Sequence, residues 1–194
     1  MEPTNNSFAR FLTWPIILIG LLVIVAVWLG VSYNGFVKSN EAIDAQWAQV
    51  ESQYQRRFDL IPNLVNSVKG AMAQEQKVFE DIADARTRYS GAATPEAQAA
   101  AATQVESALG RLLVVMENYP QLKSIDTVQS LMAELAGTEN RIAVERMRYN
   151  ELVRDYNVRV KSFPGTFVAS IFGFGPRTMF EAATGADQVP TVNL

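Results

Sequence analysis

The sequence predicts an all-α protein: a single N-terminal transmembrane helix followed by an elongated antiparallel helical bundle. Three observations carry this. Residues 11–31 form an uncharged run of 21 residues, apolar residues beyond it recur at steps of three and four, and no segment shows the alternating pattern of a half-buried strand. The predicted segments are a short N-terminal stretch (1–10), the transmembrane helix (11–31), the bundle (32–163), and a Phe-rich segment with a polar tail (164–194).

Fourteen residues of the run from Phe11 to Val31 are Phe, Leu, Ile or Val, which favours insertion by about 6 kcal/mol. Its length matches the hydrocarbon thickness of a bilayer. Trp14 and Trp28 sit near the two ends, where amphipathic rings prefer the headgroup level, and Pro15 falls in the first turn, where a missing N–H costs little. A cleaved signal peptide needs a shorter apolar region and a small-residue cleavage site, and Val31-Ser32-Tyr33-Asn34 offers none. The run therefore reads as a retained signal anchor in a cell (inner) membrane. Arg10 on one side and Lys38 on the other nearly balance the positive-inside rule. The expectation of an N-terminus inside and a soluble domain on the periplasmic or extracellular side rests on Arg10 lying tight against the anchor and on the acidic Glu41 and Asp44 beyond Lys38.

Past the anchor, Ile43, Trp47, Val50, Tyr54, Phe58 and Ile61 form one stripe, continued by Leu64, Val68, Met72, Phe79, Ile82 and Tyr89. This predicts one long amphipathic helix, kinked or broken at Pro62 because proline removes a backbone hydrogen bond and crowds the previous turn. Gly35 is the weak point between anchor and bundle. Ser90-Gly91 ends the helix, and Thr94-Pro95-Glu96 supplies the N-cap, N1 proline and first-turn acid of a second helix over about 95–117. Its alanines favour helix without demanding burial, while Val105, Leu109, Leu112, Leu113 and Met116 form its stripe. Tyr119-Pro120 terminates it. A third helix over about 126–163 presents Val128, Leu131, Leu135, Ile142, Tyr149, Leu152, Tyr156 and Val160, with a bend expected at Gly137. Three long helices are thus legible.

Composition narrows the chemistry. The 194 residues contain no cysteine and no histidine and carry a formal net charge of −3. This removes the usual zinc sites, the Glu-x-x-His di-iron motif, and Ser-His or Cys-His nucleophiles. Dispersed Lys and Arg with no basic stripe argue against nucleic acid. Glu75, Glu80, Asp81 and Asp84 lie along one helix without a partner set that would face them across a cleft. The sequence predicts no enzyme, no cofactor, no metal and no small-molecule substrate.

Among the polar residues, Tyr149-Asn150 and Tyr156-Asn157 repeat at a spacing of seven and return to one helical face, and Asn63 and Asn66 stack at three. Such residues either set helix register or line a polar site inside the bundle. Arg56, Arg57 and Asp59 before Pro62 read either as a functional cluster or as an exposed face in which Arg56 pairs with Asp59 at i,i+3.

These residues carry a resemblance. Trp47-Ala48-Gln49-Val50-Glu51, the run Arg56-Arg57-Phe58-Asp59-Leu60-Ile61-Pro62-Asn63-Leu64-Val65, and Val68-Lys69-Gly70 are similar to the signature of the LemA family. Glu117-Asn118-Tyr119-Pro120 with Leu122-Lys123, then Glu139-Asn140-Arg141-Ile142-Ala143, then Arg148-Tyr149-Asn150 with Tyr156-Asn157, and finally Phe172-Gly173-Phe174, follow in the family's order. The resemblance implies one membrane helix and a four-helix antiparallel bundle, one helix more than periodicity reveals. It also implies a membrane protein to which no enzymatic activity is assigned.

Five of the ten phenylalanines fall between Phe163 and Phe180. Phe163, Phe167 and Ile171 share a helical face. Packing over an open seam of the bundle ranks first, a subunit contact through Phe167, Ile171, Phe172 and Phe174 second, and a lipid-facing foot third, since Ser162 to Pro176 holds no Lys or Arg. The function expected is a non-catalytic membrane scaffold that self-associates and influences membrane organisation, its partners being the bilayer and copies of itself. The alternative is an adaptor holding another membrane protein, such as a protease or a stress-response partner.

Overall fold

The computed structural model describes residues 7–180, with side chains from Trp14 onward except that of Lys123. Residues 1–6 of the predicted N-terminal stretch, the side chains of Arg10 and Phe11, and the polar tail from residue 181 lie outside the described residues. Five α-helices follow in order: α1 (Ser7–Val68), α2 (Gln76–Ser90), α3 (Pro95–Met116), α4 (Asp126–Lys161) and α5 (Gly165–Phe172), with a 3-10 helix at Pro120–Ser124 before α4. Among the described residues there is no strand.

The predicted break at Pro62 is absent, and α1 continues to Val68. Ile61, Leu64 and Val68 are fully buried on either side of the proline. At about 1.5–3 kcal/mol for each buried side chain, this offsets the roughly 3 kcal/mol that an interior proline costs. The break comes instead at 69–75, a pair of turns closed by Met72 N–H to the Val68 carbonyl at 3.0 Å and Glu75 N–H to the Met72 carbonyl at 3.0 Å. Met72 is fully buried, so the apolar stripe keeps its spacing through the turn, and only Gly70 marks it. Splitting the predicted long helix here yields the fourth helix. Gly137 does not interrupt α4.

The chain divides into two compact units, one of residues 1–42 and 154–177, the other of residues 43–153 and 178–194. In the second unit Tyr54 and Phe58 of α1 meet Tyr89 of α2, the Phe58–Tyr89 rings lying edge-on at 4.5 Å. Asp81 and Arg88 of α2 meet Arg111 and Gln104 of α3. Trp47 and Arg57 of α1 meet Tyr149 and Glu139 of α4. In the α2–α3 and α1–α4 pairings residue numbers rise on one helix as they fall on the other, whereas Glu51 and Arg57 of α1 meet Gln98 and Glu106 of α3 in the same order, so the four segments alternate in direction.

Thr94 caps α3, its hydroxyl accepting from Ala97 N–H at 3.2 Å, with Pro95 in the first turn as predicted. Ala101, Ala102 and Ala108 are buried, contrary to the expectation that the alanines merely favour helix. On α4, Val153 is buried where Leu152 is expected, and Thr138 joins the stripe.

In the first unit Phe36 is the central side chain. It is fully buried, edge-on to Tyr156 at 6.1 Å, stacked on Phe174 at 5.2 Å, and covered by the Arg159 guanidinium 4.6 Å from its centroid. Gly35 makes room for that guanidinium, which a Cβ would strike, and Arg159 donates to the Ser32 carbonyl at 3.3 Å. Gly35 is therefore a close-approach position within a continuous helix, not a weak point. Gly173, with a φ of 75°, ends α5 in the left-handed conformation. The Phe174 N–H then reaches the Ala169 carbonyl at 2.9 Å, aiming Phe174 back at Phe36.

Candidate functional site

Two polar constellations distinguish this bundle from a plain apolar one. The first joins α1, α3 and α4. Arg57, only 8% exposed, pairs with Glu139 and lies 3.8 Å from Glu106, and Arg146 lies 3.6 Å from the same Glu106 oxygen. Arg146 also spreads over the rings of Tyr54 and Phe180 at 5.6 and 5.0 Å. Two cations and two anions cancel, so the cluster has no net charge with which to hold an ionic ligand. Its geometry fixes α1, α3 and α4 at one longitudinal register.

This corrects the exposed-cluster expectation. Arg57 points inward, Asp59 accepts from Gln55 at 2.9 Å rather than from Arg56, and Arg56 is exposed. Sequence reasoning singled out Arg57 and Glu139 but missed Glu106 and Arg146. The spacing holds a signal, because Glu139, Ile142, Arg146, Tyr149 and Val153 recur at three and four on the face that α4 buries.

Burial lifts the Glu106 carboxyl above its usual range, with Arg146 opposing, Glu139 adding and Arg57 opposing in decreasing weight. Burial also raises Tyr54 and pushes Tyr89 up to about 12, keeping both phenols neutral. A carboxyl whose folded pKa exceeds its unfolded one binds its proton more tightly when folded. Its contribution to stability therefore grows as pH falls through the folded pKa, the reverse of an ordinary ion-paired acid. The thermal midpoint of the wild type relative to Glu106→Gln should accordingly rise as pH falls from neutral into the ordinary carboxylate range. A difference that stays flat across that range would remove this assignment.

The second constellation is a pair of asparagine clamps, each closed on the backbone of one residue. Asn157 donates to the Arg177 carbonyl at 2.7 Å and accepts from the Arg177 N–H at 2.8 Å. Asn150 repeats the pattern on Phe180, donating at 3.0 Å and accepting at 2.8 Å. Each amide thereby satisfies both backbone groups of one residue.

The tyrosines of the repeat serve the packing. Tyr149 is edge-on to Trp47 and Phe180 and reaches the Thr178 carbonyl at 3.3 Å, and Tyr156 meets Phe36. Phe180 stacks on Trp47 at 5.4 Å, and Arg177 donates to Asn40 at 3.3 Å.

The remaining motif residues lie apart from both. Asn63, Asn66, Asn118 and Asn140 are exposed, so Asn63 and Asn66 do not set a buried register. Tyr119 donates to Glu75 at 3.3 Å, and Pro120 opens the 3-10 helix. Trp14 and Trp28 are exposed at the two ends of the apolar part of α1. Phe174 is half-buried against Phe36 and Tyr33, whereas Phe167, Ile171 and Phe172 are exposed. No group of three acids able to hold a metal occurs among the described residues.

The family model described as LemA family matches residues 46–194. Two proteins of Paramagnetospirillum magneticum, magnetosome proteins MamQ 2 and MamQ 1, are each 28% identical over 215 residues, covering 96% of this chain and 79% of the relative. Magnetosome protein MamQ of Magnetospirillum gryphiswaldense is 29% identical over 168 residues, covering 73% of this chain and 62% of that protein.

Proposed function

The chain belongs to the LemA family, and from this premise we propose that it is a non-catalytic single-pass membrane scaffold whose copies associate through the anchor. The observation that carries the proposal is the naked apolar stretch of α1. From Ile16 to Val27 every Ile, Leu and Val is exposed, and α1 is the one helix among the described residues long and apolar enough to cross a membrane. A surface of that extent needs lipid or another copy to cover it. Kinship with proteins named for the magnetosome supports a membrane setting.

Parallel anchors confine copies to two dimensions, which raises their effective concentration and favours symmetric contacts. The self-neutralised charge cluster and the internally satisfied asparagines fit a part that holds its own shape rather than one that transforms a substrate. The bundle is assigned to the periplasmic or extracellular side of the inner membrane.

Because the chain lacks cysteine, single cysteines introduced one at a time from Ile17 to Val23 report contacts cleanly. Oxidation in native membranes should yield dimers with a period of about 3.5 residues, as for packed helices. Dimers absent throughout, or formed equally at every position, would sink self-association and favour the adaptor role.

A further inference from the structure

The exposed face of α5 is the apolar surface that the fold leaves unexplained. Phe167 and Ile171 on the helix, and Phe163 just before it, are 65%, 58% and 86% exposed, while the helix buries only Val168 and Ala169. We propose that this face is a second membrane contact, lying in the headgroup–acyl boundary of the bilayer beside the end of the transmembrane helix.

The position of α5 selects lipid as the occupant. Phe163 and Pro164 line one cavity together with Trp28 and Ser32 of α1, and Phe172 packs on Tyr33 with ring centroids 4.9 Å apart. Trp28 and Tyr33 bracket the end of the apolar run at Val31, where rings of this type seek the interface. Contact with them keeps the start and the end of α5 within five helical residues of α1, about 7.5 Å, around the end of the apolar run. Eight residues make a helix of about 12 Å, too short to cross and suited to lying in the plane.

An interfacial helix ordinarily carries cations on its polar face, and α5 has none. The cations are supplied from just upstream, because Arg159 and Lys161 close the last turn of α4. Arg159 is held at the Ser32 carbonyl, so its charge stays at the level where the apolar run ends and anionic headgroups begin. The inference rests on the reading that residues 11–31 span the bilayer.

Nitroxide labels on single-cysteine variants of the full chain test it, in vesicles of phosphatidylcholine and phosphatidylglycerol. The label is placed at Phe167, at Gly20 in mid-span, or at Gln104 on the exposed surface of α3. Collision with oxygen relative to a water-soluble nickel chelate should be highest at Gly20 and lowest at Gln104. At Phe167 it should exceed the Gln104 value several-fold, corresponding to a depth of about 5–10 Å. A Phe167 ratio equal to that of Gln104 with Gly20 deep would overturn the foot while leaving the anchor intact. A water-exposed Gly20 would overturn the anchor itself. A Phe167 ratio equal to that of Gln104 together with spin–spin broadening that vanishes on dilution with unlabelled chain would overturn the foot in favour of a subunit contact.

Discussion

Arg57→Met lowers the stability of the bundle by about 3 kcal/mol, because it removes the cation that Glu139 pairs with and leaves Glu106 with Arg146 alone. The figure sits at the low end for a broken buried pair because Glu139 is half-exposed and can rehydrate, whereas Glu106 is largely shielded. Measured as a thermal midpoint by circular dichroism, the loss corresponds to about 6–12 °C. The charge-balanced double variant Arg57→Met with Glu106→Gln should lose less than the sum of the two single variants, since it removes the cation together with one of the anions it neutralises. Additive losses would show that the four charges act separately and that register comes from the apolar stripe alone.

Replacing both Asn150 and Asn157 by alanine frees the chain from Arg177 to Phe180. Four hydrogen bonds vanish, two from each amide. The backbone groups left behind cost about 1–3 kcal/mol where water does not replace the lost partner. Amide exchange at Arg177 and Phe180 should accelerate roughly ten-fold for each 1.4 kcal/mol lost. The peptide bond after Arg177 offers a second readout, because trypsin requires an extended, unpinned segment there. Wild-type protein should resist cleavage at that bond and the double variant should yield to it. The Asn→Asp pair should fall between the two, since a carboxylate still accepts from the N–H but cannot donate to the carbonyl. Equal cleavage of the wild type and the alanine variant would mean that Phe180, stacked on Trp47, holds the segment without the clamp.

Those two constellations show what a sequence of this kind makes legible. The anchor, the stripes of α1 and α3 and the Thr94 cap follow from periodicity and local chemistry, which act over a few residues. The turn at 69–75 escaped because Met72 stays in phase with Val68, so a stripe read by spacing alone passes straight through it. The asparagine repeat was visible as a spacing, but its partner was not. The partner is backbone, which has no sequence signature, and it lies 20 and 30 residues downstream. Glu106 and Arg146 were obscured for a related reason: an ionisable residue on an apolar face looks like an edge of the stripe until the helix opposite supplies its counter-charge. In the C-terminal segment, aromatic content announced hydrophobic contact without dividing it. Gly173 makes that division, turning the chain so that Phe174 enters the core of its unit while Phe167 and Ile171 face outward.

The central claim, that copies of this chain associate in the membrane, is tested most directly by the mass of the full-length protein in mild detergent, from light scattering corrected for bound detergent. Self-association predicts a discrete multiple of the 21.5 kDa chain that persists on dilution. A polypeptide mass of 21.5 kDa at every concentration would contradict it.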